Sequence, residues 1–366
     1  MPASRRHASG RRASLWCWRS RMSAWRRSGE RRFAGAYSAT RRLVAHPDAG
    51  SAVADLIVMT WNVENLFHPE DTDASAAETY AAKLAYLAGL ISGTGADVVA
   101  LQEIGSPAAV EDLRSALGAP WHAVVSSHPD GRGIRVAVLA RHALAEEAQI
   151  VALPQAGLPA VPDVDGGTLT HLGRGAVQVH VDCGGPGLRL LTAHLKSKLL
   201  TYPGGRRYPR IEDERPRGAG YALLRRTAEA VALRVHLNDV LAAAAVDGQP
   251  GMPTILCGDL NDGPDAVTTV VLEGPADGDI NRPDNGDAVR LYNLGRCLPP
   301  ARAYSRIYQG HGELIDHILA TRDLQLRQVS IDSLVDDITS IGASTRSREA
   351  AIVPDHAPVL ARFTGL

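Results

Sequence analysis

Beyond residue 54 the chain alternates between short apolar runs closed by turn residues and longer stretches whose apolar positions recur every three or four residues. Eight runs, at 55–61, 97–101, 134–140, 176–181, 188–195, 253–257, 314–320 and 357–363, are rich in β-branched residues. They predict strands, some buried on both faces and some alternating in and out. Helical spacing predicts helices over 76–91, 108–117 and 219–245. Strands interleaved with a few long helices imply an α/β protein of layered sheets with helices outside. No repeat at a solenoid period is present.

Most of the predicted strands end in polar residues. The ends are Trp61-Asn62-Val63-Glu64-Asn65, Leu101-Gln102-Glu103, His194-Leu195-Lys196-Ser197-Lys198, Gly258-Asp259-Leu260-Asn261-Asp262, Ile315-Asp316-His317 and Pro354-Asp355-His356. A carboxylate directly after several apolar residues either emerges at a sheet edge or is paired, because an isolated buried charge is costly. Each end taken singly has a structural explanation: turn asparagines at 62, 65 and 261, a helix cap at Asp259, a solvated strand end at Glu103. Six such ends in one chain imply convergence on one polar site. Alternation places Asp316 and His317 on opposite faces, so Asp316 is taken as the functional residue and His317 as structural.

The donor types specify the chemistry. Oxygen ligands from Asn62, Glu64, Glu103, Asp259 and Asp355 suit Mg²⁺ or Mn²⁺, and no thiolate accompanies them to favour zinc. His194 and His356 supply imidazoles for proton transfer or for hydrogen bonding to a phosphoryl oxygen. Asp316 is placed to orient one of them.

Composition narrows the setting. A chain of 366 residues that is 45% hydrophobic and 22% charged is globular rather than fibrous or disordered. Its net charge of −1 hides an asymmetry: residues 1–54 hold 12 arginines and two acids, which leaves 55–366 at −11. Broad adhesion of that acidic body to nucleic acid is therefore disfavoured. The Arg-rich segment 1–54 has the composition of a transit peptide or a phosphate-gripping arm, but its plainest reading is a disordered leader or a start codon set too far upstream. No run approaches the roughly 20 apolar residues of a membrane helix. Without a secretory apolar region either, integral membrane association is not expected and a cytoplasmic location is. Cys17, Cys183, Cys257 and Cys297 form no Cys-x-x-Cys pair and read as reduced structural thiols.

In this order, the six strand ends resemble the endonuclease/exonuclease/phosphatase superfamily, which includes pancreatic-type deoxyribonucleases, apurinic endonucleases, neutral sphingomyelinases and inositol polyphosphate 5-phosphatases. The resemblance covers 56–363. It implies a four-layered α/β sandwich with two central mixed β-sheets flanked by helices. It also implies a catalytic domain over 55–366. Glu103 would be the principal metal ligand, with Asn62 and Glu64 beside it and Asp355 nearby. Asp259 would orient or deprotonate the attacking water, and Asn261 would hold that water or a phosphate oxygen. His356, oriented by Asp316, would stabilise the phosphorane-like state, and His194 would contact the phosphate or protonate the leaving oxygen. Glu64 stands where many relatives carry Asp, and the sequence lacks the Pro-x-Trp-x-Asp-Arg signature of the 5-phosphatases.

Two of the three lysines, Lys196 and Lys198, follow His194 directly and form a positive spot where a nucleic-acid backbone could dock. Residues 196–220, with five arginines, read as a mobile substrate-facing loop. The expected activity is metal-dependent hydrolysis of phosphodiesters in DNA or RNA. A phosphomonoesterase or lipid phosphodiesterase with the same site, and a non-catalytic binding protein of the same fold, are the alternatives.

Overall fold

The computed structural model describes residues 55–69, 74–154, 156–158, 160–244, 251–274, 289–342, 348 and 350–365, so the expectations for 1–54 lie outside the described residues. Side-chain alternation builds the layers. In strand β1 (Leu56–Leu66), Leu56 and Val58 face one core while Ile57, Met59 and Trp61 face another. The following elements are α1 (Ala74–Thr94), β2 (Val98–Ile104), α2 (Pro107–Leu117), β3 (His122–Val125), β4 (Arg135–Ala140), β5 (Ala143–Ala152), β6 (His171–Asp182) and β7 (Leu188–His194). After them come α3 (Glu214–Ala244), β8 (Thr254–Asp259), α4 (Val267–Glu273), β9 (Tyr292–Asn293), β10 (Arg306–Tyr308) and β11 (His311–Glu313). The chain closes with β12 (Asp316–Ala320), α5 (Arg322–Arg327), β13 (Gln328–Ser333) and β14 (Val359–Phe363).

One sheet has the order β13-β14-β1-β2-β4-β3 and the other β5-β6-β7-β8-β12-β9, with β10 and β11 paired as a separate hairpin. β1 runs parallel to β2 and β7 parallel to β8, while the other pairs are antiparallel, so both sheets are mixed. Val58, Val98, Val138, Val179, Leu190, Ile255, Ile318 and Ala361 interdigitate between the sheets. On the outer face of the first sheet, Leu87 and Ile91 of α1 and Val110 and Leu113 of α2 cover Met59, Val99 and Leu101. On the outer face of the second, Leu233, Leu237 and Leu241 of α3 and Leu272 of α4 cover Leu191, Leu256 and Leu319. The result is the expected four-layered α/β sandwich.

Local sequence explains the helix ends that matter. Ser106 caps α2, its hydroxyl accepting from Ala109 N at 3.2 Å, and Pro107 supplies the fixed φ of the first turn. α3 begins five residues earlier than its apolar spacing predicts. Glu214 opens it, accepting from Arg210 N at 2.7 Å and from Arg206 Nη1 at 2.7 Å. That shortens the connection after β7. A 3₁₀ turn at Pro203–Gly205 lies within it, and the Tyr202 ring is buried under Arg206. Of the stretch expected to be one mobile loop, residues 214–220 are helix and 203–205 a 3₁₀ turn, and the remainder is irregular connection. Among the described residues no helix is long and apolar enough to cross a membrane.

Candidate active site

Strand register assembles the centre. β7 and β8 pair in parallel with His194 beside Asp259, and β12 pairs antiparallel to β8 with Asp316 beside the same Asp259. All three continue the inward parity of Leu190, Cys257 and Ile318, so they form a lateral row on the inner face of one sheet. His317 takes the outward parity of Leu319, as alternation predicts. Its Nε2–H donates to Asp262 O at 2.8 Å and its Nδ1 accepts from Asn293 Nδ2 at 3.1 Å. Burial pushes its pKa down to about 4, so it stays neutral and structural.

The opposite sheet reaches this row through Asn62, whose Nδ2 donates to Asp259 Oδ2 at 3.0 Å and lies 3.4 Å from Glu103 Oε1. Beneath it Gln102 ties the sheets together, donating to Thr60 Oγ1 and Thr192 Oγ1, both at 3.2 Å. Plain alternation would send Glu103 outward with Leu101. Instead the β1–β2 pairing is irregular between Asn62 and Leu66, and Glu64, Asn65 and Glu103 adopt φ of 48°, 55° and 64°. This bulge turns the Glu103 carboxylate back to Asn62, where Asn65 N donates to its Oε2 at 3.0 Å. Gly258 has φ 145°, and a Cβ there would sit 1.9 Å from Ala193 O, so only glycine allows β7 and β8 to approach at the row.

His194 Nε2 lies 3.3 Å from Asp259 Oδ2. Asn261 N donates to Asp259 Oδ1 at 3.0 Å, and its side-chain Nδ2 donates to Leu195 O at 2.9 Å, which locks the loop after β8 to the loop after β7. His356 precedes β14 and is fixed by Trp61 Nε1, which donates to its carbonyl at 2.9 Å. Its Nδ1–H donates to Asp316 Oδ2 at 2.7 Å, and Ser305 Oγ donates to the same oxygen at 2.6 Å. Burial alone would lower the His356 pKa, but Asp316, Asp355 and Asp259 outweigh it and push it up to about 10. Burial alone would raise the Asp259 pKa; His194, His356 and Asn62 outweigh it and hold the carboxylate well below its usual range. Glu103 is likewise held low by His194, Arg174 and His356 against the opposing effect of burial.

Asp259, Asp316 and His356 offer ligand atoms within 4.8 Å of one another, a buried acid and histidine group able to hold a metal. The surrounding carboxylates favour the doubly protonated His356, which leaves neither ring nitrogen a lone pair and favours a relay with Asp316 over ligation. Ionised Glu103, with Asn62 beside it, is the better-suited oxygen donor, since its two hydrogen bonds leave lone pairs free. Among the described residues, buried His194 Nδ1 and Asp316 Oδ1 have no hydrogen-bond partner, as expected of a centre built to receive a further polar group. The donor set therefore fits a divalent ion.

Glu64, expected beside Glu103 as a metal ligand, is paired with an arginine. Arg348 takes both carboxylate oxygens, Nε to Oε1 at 3.0 Å and Nη2 to Oε2 at 2.5 Å, and Asp355 N donates to Oε2 at 3.1 Å. The longer arm that separates Glu from Asp is thus spent on an arginine. Asp355 lies 3.7 Å from Arg306 Nε and adjoins His356. Lys196 turns into its own loop, donating to Ser197 O at 3.1 Å and Leu199 O at 2.8 Å; burial, aided by Arg225 and Arg174, brings its pKa down to about 8. Lys198 stays half-exposed, 3.2 Å from Glu313 and 3.9 Å from Asp262. Sequence reading missed Ser305, Arg174 and Arg348, because nothing in their local patterns marks them; each matters through residues far away in the chain.

Two mixed sheets thus gather carboxylates, amides and histidines at one edge. The chain belongs to the Endonuclease/Exonuclease/phosphatase family, whose model matches residues 59–344. No curated protein sequence matches it. Similar solved structures include truncated Caenorhabditis elegans TDP2, at 17% identity over 85% of this chain and 98% of that one with a TM-score of 0.48. An AP endonuclease from Archaeoglobus fulgidus is 16% identical over 84% and 99% with a TM-score of 0.46. The human Nocturnin catalytic domain with bound sulfate anion is 16% identical over 85% and 94% with a TM-score of 0.48.

Proposed function

We propose that this chain is a divalent-metal-dependent phosphodiesterase that cleaves DNA or RNA by in-line attack of water. The observation that carries the reading is the His194–Asp259–Asp316 row facing Asn62 and Glu103 across the sheet gap. Glu103 and Asn62, with Asp355 on the flank, would hold Mg²⁺ or Mn²⁺, which when bound neutralises charge developing on the phosphate. Asp259 is kept ionised by His194, His356 and Asn62. It orients the nucleophile by accepting its hydrogen bond, and Asn261 fixes the loop that aims Asp259. His356 carries a proton at neutral pH; with Nδ1 bound to Asp316, its remaining ring N–H stabilises the phosphoryl oxygens as charge builds. His194, paired with Asp259, contacts the phosphate or the leaving oxygen. Lys198 attracts the backbone beyond the scissile bond.

The test is a panel with and without EDTA: plasmid DNA, single-stranded RNA, an activated phosphodiester and an activated phosphomonoester. Cleavage of nucleic acid that EDTA abolishes and Asp259→Asn loses is expected. Preference for the monoester or a choline lipid would move the substrate class, and no hydrolysis of any ester at saturating Mg²⁺ and Mn²⁺ would make the chain a binding protein.

A further inference from the structure

We infer that Arg348 and Lys83 are positioning residues that act through Glu64, clipping the segment carrying Asp355 and His356 onto β1. The inference rests on the phosphodiesterase reading for its kinetic consequence, and on geometry alone for the clip. Lys83 is a buried lysine on α1, only 6% exposed, with no part in the mechanism above. Its Nζ donates to two backbone carbonyls, Glu64 O on β1 and Ala351 O, the latter at 3.3 Å. Arg348 closes the same circuit from the other side, gripping both Glu64 oxygens and donating to Val353 O at 2.6 Å. Asp355 N completes it on Glu64 Oε2 at 3.1 Å. Helix, strand and segment 350–356 are thus joined at one carboxylate and one ammonium, both buried.

Two features make this a positioning device rather than incidental packing. Glu64 holds φ 48°, an uncommon conformation for a side chain of its size, and it does so inside the bulge that also turns Glu103. The clipped segment leads in one residue from Asp355 to His356, whose ring must meet Asp316 and stand opposite Asp259. A shift of the segment therefore moves the imidazolium relative to the water-orienting carboxylate. A planar guanidinium fits this place because it meets both oxygens of one carboxylate at once, which an ammonium cannot do.

The experiment compares the full chain with Arg348→Ala, Arg348→Lys and Lys83→Met. Arg362→Gln, which breaks an exposed ion pair with Asp55, is the control. Loss of the clip is expected to lower kcat by about 10- to 100-fold with KM within about threefold, as for other residues that orient a catalytic group. Arg348→Lys should fall between wild type and Arg348→Ala, and low-millimolar guanidinium should restore part of the Arg348→Ala rate, which a general loss of stability would not allow. Independently of activity, hydrogen exchange of segment 350–358 should accelerate in the three clip variants and not in the control. Wild-type kcat in Arg348→Ala, or unchanged exchange there, overturns the inference. If the wild-type chain hydrolyses no ester, the phosphodiesterase reading fails, and the exchange data still decide whether the clip holds the segment.

Discussion

Asp316→Asn is the most informative single change. It keeps the shape of a fully buried side chain and removes the charge that faces His356 Nδ1 at 2.7 Å. In the intact protein that charge is the largest of the effects raising the imidazole from its ordinary 6.5 to about 10 against burial. At about 1.4 kcal/mol per tenfold, the displacement amounts to roughly 5 kcal/mol, the net of burial on one side and Asp316, Asp355 and Asp259 on the other. Without Asp316 the largest raising effect is gone and burial is opposed only by Asp355 and Asp259, so His356 should give up its proton at lower pH and the charged donor at the phosphoryl group is weakened. The expected cost is about 10²–10³ in kcat. The alkaline limb of the kcat profile, set near pH 10 by His356 in the wild type, should move to lower pH. Stability follows the same sign: a histidine raised in the folded state stabilises below its unfolded pKa, and the contribution fades as pH rises through the folded value. The melting-temperature gap between wild type and variant should therefore be widest below about pH 6.5 and close towards pH 10. A variant that keeps wild-type kcat and an unmoved alkaline limb would refute the relay.

Three further outcomes separate scaffold from chemistry. Gly258→Ala should destabilise by about 3 kcal/mol or more, read from the denaturant midpoint, because a Cβ meets Ala193 O at 1.9 Å with φ at 145°. His317→Leu strands Asp262 O and Asn293 Nδ2 and should cost roughly 1–3 kcal/mol for each, while kcat of the folded protein stays within a few-fold of wild type. Lys198→Ala should raise KM by about threefold and flatten its salt dependence with kcat intact, since the side chain is half-exposed and its ion pairs are solvated.

How far the sequence could be read depends on where each strand sits. The runs at 97–101, 188–195 and 253–257 became β2, β7 and β8, interior strands flanked on both sides, where both faces are buried and the apolar signal is dense. The edge strands β3, β5, β9 and β13 escaped notice. Ala143–Ala152, for example, is mostly exposed or half-buried, because an edge strand packs on fewer neighbours. Site residues followed the same logic. Asp259, Asp316 and His194 stood out because each lies at one terminus of an interior strand on inward parity. Glu64 was legible as a polar strand end, but its pairing with Arg348 was not, because that partner lies 284 positions away and local pattern carries no trace of it. Ser305, which bonds Asp316 from the end of a loop, leaves no periodic signal either.

The row at β7, β8 and β12 makes function a gauge of folding accuracy. A slip of one residue in any of these strands carries its polar group to the opposite surface and about 3.3 Å along the chain. Collapsed species with native-like secondary structure but imperfect alignment should therefore be silent in a turnover assay. Recovered hydrolysis during refolding would then time the moment at which the second sheet finds its correct pairing, later than any spectroscopic sign of strand content.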